Sequence, residues 1–167
     1  MEIIVKRDEL LHDLVSAERI TEKKTTIPIL SHLRFTAVEN GQFWITATDL
    51  DQSISIPCPA KVDKPGSCAI PASKLLDYVK LLREDQISIK LLENHWIQLR
   101  AGRSHSKLVG TAPTNFPKVP DFPKTATTRL PRTLLRTMIS KTMFAISTEE
   151  SRYTLNGALL VLKSRTV

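Results

Sequence analysis

The chain repeats one local pattern, a short apolar strand followed by an amphipathic helix, and this repetition limits the folds open to it. The pattern begins near residues 3, 68 and 128. An offset of 65 residues aligns apolar positions of the first two copies: Val5 with Ile70, Leu10 with Leu75, Leu11 with Leu76 and Leu14 with Val79. An offset of 125 aligns the first and third copies: Val5 with Leu130, Leu10 with Leu135 and Leu14 with Ile139. Repeated units stack or close together, so the function is expected to belong to their assembly.

The apolar periodicity predicts two complete units before residue 115. The first has a strand at 3–5, a helix at 8–20 and strands at 30–38, 43–48 and 54–56. The second has a strand at 67–70, a helix at 71–82 and strands at 87–91, 96–100 and 104–109. Asn40-Gly41 favours a tight antiparallel hairpin, because both residues tolerate positive φ. The pattern predicts an α+β fold with antiparallel sheets.

A proline-rich stretch and a partial third unit follow. Residues 113–124 hold four of the ten prolines, which predicts an extended linker. The third unit is predicted to have a strand at 127–130, a helix at 131–144 and a strand at 155–162. Its helix has four apolar positions expected to face inward: Leu134, Leu135, Met138 and Ile139. Because the unit is half built, we expect an open strand edge and an uncovered apolar helix face, liable to association.

Composition limits the classes of partner and compartment. Twenty-four Lys and Arg against 17 Asp and Glu give a net charge of +7 and a pI near 9.6, which favours a polyanionic partner. Cys58 and Cys68 form no metal-binding motif and are expected to be reduced and buried. The N-terminus lacks a signal-peptide pattern, and no stretch approaches about 20 apolar residues. The sequence predicts a cytoplasmic chain with no membrane partner.

No catalytic grouping stands out. The four histidines lack metal-ligand spacing, and glycine-loop and nucleophile-elbow motifs are absent from the sequence. Asp49 and Asp51 could be paired metal ligands, but Asp at a strand end more often shapes a turn. Ser104 and His105 could be a nucleophile and its base, but neighbouring strand residues point to opposite faces. We therefore expect a protein that is not an enzyme, without a metal or cofactor.

Basic residues are the positive signal. They occur in the loop after the first helix and on the other two helices: Lys23, Lys24, Lys74, Lys80, Arg132, Arg136 and Lys141. If the three helices are equivalent by repeat, their outward faces form one basic surface that contacts phosphates without reading bases. An ordinary solvated helix face remains the alternative. Four acidic residues of the first helix weaken the basic interpretation: Asp8, Glu9, Asp13 and Glu18.

Several strings, in order and spacing, resemble one protein family. They are KRDELLHDLVSAERI, TIPILSHLRFTA, ITATDLDQSISI, AIPASKLLDYVKLL, AGRSHSKLVGTAPTNFP and SRYTLNGALL. In these strings the chain resembles the bacterial DNA polymerase III beta subunit family, the sliding clamps. TIPIL, TATDLD and RYTLNG are the most specific pieces, and the resemblance covers essentially all 167 residues.

The resemblance implies the DNA-clamp fold, in which repeated strand-helix-strand units place helices on one face and antiparallel sheets on the other. Protomers of this family close head to tail into a ring around duplex DNA. The ring tethers the polymerase by enclosure, and the clamp has no active site. The implied partners are duplex DNA, the DNA polymerase III catalytic subunit, the clamp loader and other clamp protomers. Residues 1–120 would be the N-terminal domain, and 121–167 an incomplete start of the central domain.

Residue by residue, the family's basic position after the first helix falls on Lys24, with Lys23 beside it. The basic position opening the second helix falls on Ser73, and Lys74 follows it. A polar DNA-side position after the third helix falls on Glu149, whose charge opposes phosphate. The family's peptide-binding pocket would begin at three residues of RYTLNG: Arg152, Tyr153 and Leu155.

The implied ring-closing edge of the first domain comprises four residues: Lys74, Arg103, His105 and Ser106. Many family members have Phe where this chain has Ser106. Losing a buried Phe forfeits roughly 2–3 kcal/mol of apolar burial, so closure through this edge is expected to be weaker or to use other contacts.

The resemblance stops short of the family's third domain, which the usual two-protomer ring requires. Two functions remain open from the sequence. One is a truncated processivity factor that encircles duplex DNA, and the other is a truncated clamp that acts as a protein-interaction module without encircling DNA.

Overall fold

A computed structural model describes residues 1–22, 26–120, 128–147, 149 and 153–162, with only the backbone at residue 153. The chain divides into two compact units, Met1–Pro120 and Asp121–Val167. Within the described residues, no helix is long and apolar enough to cross a membrane.

The first unit contains two antiparallel sheets and two helices. Its elements in chain order are β1 (Glu2–Lys6), α1 (Arg7–Glu18), β2 (His32–Ala37), β3 (Phe43–Thr48), β4 (Ser53–Pro57), β5 (Ala60–Lys64), β6 (Gly66–Pro71), α2 (Ala72–Leu81), β7 (Gln86–Leu91), β8 (Trp96–Ala101) and β9 (Ser104–Val109). Sheet A has the strand order β5-β1-β7-β8-β9, and sheet B has the order β4-β3-β2-β6. The α+β class and the antiparallel sheets predicted from the sequence are confirmed.

The two copies of the repeat exchange their first strands. β1 of the first copy pairs with β7 of the second, with Ile3 opposite Ile89. β6 of the second copy pairs with β2 of the first, with Leu33 opposite Ile70. Each copy therefore completes the other's sheet, and neither closes a sheet alone.

The helices pack side by side and run antiparallel. At one end, the Arg7 Nη2 donates to the Lys80 carbonyl oxygen at 3.3 Å. At the other end, the Ser73 hydroxyl donates to Glu18 Oε1 at 3.4 Å. These end contacts relate the two copies by an approximate two-fold arrangement.

One hydrophobic core lies between the helices and both sheets. The rings of Phe35 and Phe43 meet edge to face with centroids 5.0 Å apart. Leu10 and Leu14 of α1 are fully buried in the same core, as are their repeat partners: Leu75 and Val79. The repeat seen in the sequence therefore marks equivalent core positions, and burying them is the main favourable term in folding.

Two details of the first unit differ from the sequence prediction. Residues Pro28–Ser31 form a 3-10 turn, because Pro28 begins it and the backbone N–H of Leu30 donates to the Ile27 carbonyl, so β2 starts only at His32. Pro57 and Pro59 predict an end to the run of strands, yet β5 follows them at Ala60–Lys64. A proline is tolerated beside an edge strand, and β5 is an edge of sheet A.

The proline-rich stretch is not a free linker at its start. Residues Pro113–Asn115 form a 3-10 turn, and Phe116 is buried. The Arg34 guanidinium of β2 lies over the Phe116 ring, 5.1 Å from its centroid. The part of the predicted linker at residues 121–124 lies outside the described residues.

The second unit corrects the predicted third repeat. Its helix α3 spans Arg132–Thr142, and Met143–Ala145 form a 3-10 turn. Residues 128–130 are not a strand, and Thr127 lies outside the described residues. The predicted strand at 155–162 is wrong, because Tyr153–Leu155 form a 3-10 turn and no strand follows to residue 162. No described strand partner is present for either segment, so the ladder bonds that would fix an extended backbone are missing.

The apolar positions of α3 do not face a core. Leu134, Met138 and Ile139 are 41–49% exposed, and Phe144 is 87% exposed. The prediction that Leu134, Met138 and Ile139 point inward is wrong, whereas Leu135 is half-buried. The prediction of an uncovered apolar helix face is confirmed.

Both cysteines are buried thiols without a disulfide, as predicted. Burial raises the pKa of the Cys68 thiol to about 12. Burial, a hydrogen bond that the Cys58 S–H donates to the Asp13 carboxylate, and the nearby negative charges of Asp13 and Glu9 also raise the pKa of Cys58 to about 12, from an ordinary value of 9.0. The native thiols therefore stay protonated and inert at neutral pH.

These thiols make the first unit less stable in alkali. Above pH 9 the unfolded chain releases thiol protons that the native chain keeps, so the free energy of unfolding falls as pH rises from about 9 to about 12. The expected loss approaches about 1.4 kcal/mol per pH unit for each thiol. Urea unfolding at several pH values measures this loss. Cys68→Ala should reduce the slope of unfolding free energy against pH by the contribution of one thiol. An identical slope in Cys68→Ala would contradict this expectation.

Candidate nucleic-acid interface

Helix α2 carries three of the predicted DNA-side residues, Ser73 and Lys74 in its first turn and Lys80 in its last turn. Ser73, Lys74 and Lys80 are all exposed. The Ser73 hydroxyl, however, is bonded to the Glu18 carboxylate at the end of α1. Where the family has a basic residue, this chain therefore places a hydroxyl beside an acid.

Lys74 also lies close to β2. Burial lowers the pKa of the His32 imidazole, and the charge of Lys74 lowers it further, whereas a bond to the Pro28 carbonyl acts in the opposite direction. The ring Nδ1 lies 3.0 Å from that carbonyl oxygen. Because the lowered pKa favours the neutral imidazole, His32 does not place a second positive charge beside Lys74.

The formal charges on the two helices of the first unit do not add up to a basic surface. Three cationic residues, Arg7, Lys74 and Lys80, stand against five acidic ones: Asp8, Glu9, Asp13, Glu18 and Asp77. Among the described residues, the exposed cations of these helices are Lys74 and Lys80 on α2, and Arg19 is exposed directly after α1. Lys23 and Lys24 lie outside the described residues.

Three predicted DNA-side cations of the second unit lie on α3. Arg132, Arg136 and Lys141 are exposed, and the helix contains no acid. Arg132 and Arg136 line a shallow groove of about 420 Å³ with Leu135 and Ile139, so the cations lie beside the apolar face rather than opposite it.

The remaining predicted residues of this unit lie beyond α3. Glu149 is exposed, and its backbone N–H donates to the Ser147 hydroxyl at 3.1 Å. Leu155 is 52% exposed. Arg152 and the side chain of Tyr153 lie outside the described residues, so the predicted peptide pocket is represented by Leu155 alone.

The predicted ring edge corresponds to β9, an edge strand of sheet A. Ser106 pairs with Leu99 on the core side of the sheet, whereas His105 pairs with Arg100 on the outer side. Arg103 lies in the β8–β9 turn beside Gly102, whose φ of +53° suits glycine. The four predicted residues therefore surround one edge without sharing one face.

A contact that the sequence did not reveal joins this edge to α2. The Tyr78 and Ser104 hydroxyl oxygens are hydrogen-bonded at 3.0 Å. Tyr78 lies one helical turn after Lys74, so the bond holds Lys74 on the same side as the start of β9. In the sequence, only the i, i+4 spacing of Lys74 and Tyr78 indicates that these two side chains lie on the same side of α2.

The alternative catalytic groupings have structural explanations. Asp49 Oδ1 accepts the backbone N–H groups of Asp51 and Gln52 at 3.0 and 2.6 Å, so it shapes the β3–β4 turn as expected. Ser104 bonds Tyr78 on one side of β9, and His105 points to the other side. Within the described residues, no group of three His, Cys, Asp or Glu side chains could hold a metal ion.

Comparison with known proteins decides the family. The profile of the DNA polymerase III beta subunit, N-terminal domain, matches residues 1–120. The chain belongs to the DNA polymerase III beta subunit family. The beta sliding clamp of Chlamydia pneumoniae is 33% identical over 162 residues, which are 97% of this chain and 44% of the relative. That of Pseudomonas putida is 31% identical over 171 residues, with 100% of this chain and 46% of the relative covered.

Solved structures of the beta subunit family share the fold. The Caulobacter crescentus pol III beta structure has a TM-score of 0.85 at 33% identity, covering 94% of this chain and 42% of that chain. A DnaN sliding clamp from Bartonella birtlesii, bound to griselimycin, has a TM-score of 0.84 at 32% identity and the same coverage. The family resemblance and the clamp fold expected from the sequence are thus confirmed. The chain spans less than half the length of these relatives.

Proposed function

We propose that this chain is part of a DNA polymerase processivity factor, a sliding clamp that encircles duplex DNA and tethers the replicative polymerase. The observation that carries the proposal is the antiparallel helix pair on one side of two strand-exchanged sheets, in a chain of the beta subunit family. A ring with helices inward holds DNA by enclosure, so each phosphate contact can be weak. The sparse cations of α1 and α2 suit such a ring.

The proposal extends to domains and compartment. Residues 1–120 would be the N-terminal domain, and 121–167 the opening part of the central domain. The chain would act in the cytoplasm without catalysis of its own, since nucleotide transfer belongs to the polymerase.

The proposed partners are duplex DNA, the DNA polymerase III catalytic subunit, the clamp loader and other clamp protomers. The DNA contacts would come from the loop after α1, from α2 and from α3, through these residues: Lys23, Lys24, Ser73, Lys74, Lys80, Arg132, Arg136 and Lys141. Glu149 would repel phosphate. The start of a peptide pocket (Arg152, Tyr153 and Leu155) and the ring edge (Lys74, Arg103, His105 and Ser106) complete the proposed contacts.

Retention on circular and linear DNA tests the function. We expect the protein, assembled by clamp loader, to stay on closed circular duplex at salt that strips phosphate contacts, and to leave the same DNA once it is cut. Equal retention on circular and linear DNA, lost in parallel as salt rises, would contradict encirclement.

A second candidate is a clamp-derived interaction module that does not encircle DNA. Two observations favour it: the acidic balance of α1 and α2, and the exposed apolar face of α3. It predicts binding to clamp partners or to a full-length clamp without any preference for circular DNA.

A further inference from the structure

The outer face of sheet A, turned away from the helices, carries more cations than acids. Its outward positions hold six cations and two acids, which we call the sheet A surface: Lys6, Lys61, Lys64, Lys90, Arg100 and Lys107, with Glu2 and Asp63. Their strand neighbours, such as Ile3, Ile89 and Leu99, point into the core. The basic side of this unit is thus a sheet rather than the helix pair.

The cations form a row across the strands. Lys64 lies opposite Glu2, Glu2 opposite Lys90, Lys90 opposite Gln98, and Gln98 opposite Lys107. Because neighbouring strands are 4.7–4.9 Å apart, successive lysines of this row are about 10 Å apart. The row is regular enough to follow a chain of negative charges.

Part of this charge is free to bind a ligand. Lys90 Nζ pairs with Glu2 at 3.0 Å, and Lys61 Nζ pairs with Asp63 at 3.1 Å. Lys107 and Arg100 hold no ion pair within residues 1–22 and 26–120. Both are exposed, and they extend from adjacent strands at the β9 end of the surface.

An exposed indole lies among these cations. Trp96 is 42% exposed and opens onto a surface groove of about 810 Å³. Lys90 and Lys107 line the same groove, together with Leu91, Leu92 and Glu93. A flat aromatic face between two ammonium groups can stack a base while its flanking phosphates meet the lysines.

We propose that the sheet A surface binds single-stranded nucleic acid without sequence preference. One base stacks on Trp96, and phosphates contact Lys90, Arg100 and Lys107. Duplex DNA fits less well because its bases are stacked on each other and leave no face for the indole. An acidic peptide would use the lysines but would not require the indole. This site is separate from the duplex contacts proposed for the helices.

The salt dependence of binding tests the phosphate contacts. Fluorescence anisotropy of a labelled oligothymidylate of about 15 nucleotides, titrated with the 167-residue chain, gives the affinity. Three phosphate contacts should give a slope of log affinity against log salt of about −2, and Lys107→Gln should reduce its magnitude by about 0.7. Lys118→Gln, which removes an exposed cation after β9, is the matched control and should leave the slope unchanged.

The indole contact has its own test. Binding should quench Trp96 fluorescence, and Trp96→Leu, which keeps the groove apolar, should weaken binding about 5- to 150-fold, the range for one stacked base. Absence of oligothymidylate binding, or a Lys107→Gln slope equal to that of Lys118→Gln, overturns the proposal. The proposal is also overturned if polyglutamate displaces the oligothymidylate and if wild type and Trp96→Leu bind the oligothymidylate equally well. That result would identify an acidic peptide as the ligand. Retention on circular duplex DNA does not depend on these results. The single-strand site and the sliding-clamp function can therefore be disproved independently of each other.

Discussion

Leu75→Ala is expected to lower the free energy of unfolding of the first unit by about 2–5 kcal/mol. Leu75 lies on α2 and is fully buried in the core that both sheets share. Removing its side chain loses apolar burial and leaves a cavity that close-packed neighbours fill only partly. Urea unfolding measures the loss.

Two tryptophans, one in each sheet, report whether Leu75→Ala destabilises both sheets together. Trp44 lies on β3 in sheet B, and Trp96 lies on β8 in sheet A. Because the repeats exchange β1 and β6, we expect the single-tryptophan variants Trp44→Phe and Trp96→Phe to report one transition, and Leu75→Ala to shift both signals equally. Two separate midpoints would contradict the interlocked fold.

The same helix provides the matched control. Leu81 also lies on α2 but is 82% exposed. Leu81→Ala should change the free energy of unfolding by less than about 0.5 kcal/mol, as is usual for surface positions. A loss in Leu81→Ala as large as that in Leu75→Ala would show that the burial described for α2 is wrong.

Phe116→Ala is expected to cost about 3–5 kcal/mol, the range for a buried Phe. Phe116 is only 5% exposed, although it lies in a segment that composition alone marks as a linker. Arg34 lies over its ring, so Arg34→Gln should cost less, about 0.5–2 kcal/mol, through loss of the cation–π contact. Thermal or urea unfolding of the first unit within the 167-residue chain measures both changes.

Phe144→Ala is the control for this comparison, because Phe144 is 87% exposed. We expect it to leave the unfolding of the first unit unchanged. If Phe116→Ala behaved like Phe144→Ala, the segment after β9 would not be packed against sheet B as the structure shows.

The elements with strong local signals could be predicted from the sequence. β3 was predicted at its observed bounds, because Asn40-Gly41 precedes it and a polar turn follows it. The offset of 65 residues identified the helix positions that the core buries. These features depend on periodicity and turn chemistry, which are local.

Strand partners could not be predicted in the same way. Alternation shows which side chains of β1 face a core, but not whether its partner is β2 or β7, since both offer apolar faces. The exchange is decided by how the two helices and sheets pack together. The strands predicted for the third repeat failed for a related reason: no described sheet supplies their backbone partners.

The charge distribution was predicted only in part. The sequence repeat predicts that the cations on the helices share one surface, whereas the six cations of the sheet A surface are spread over five strands, with one or two on each. Only the register brings Lys64, Lys90 and Lys107 into one row.

Site-specific cross-linking to closed circular duplex DNA tests most directly whether the helices face the double strand. Asp77→Cys places a thiol on the exposed side of α2, and Gln98→Cys places one on the outer face of sheet A. Buried Cys58 and Cys68 stay protonated and unlabelled, so each variant carries one photoactivatable group. We predict cross-linked duplex from Asp77→Cys and none from Gln98→Cys. Cross-links from Gln98→Cys but not from Asp77→Cys would contradict the account.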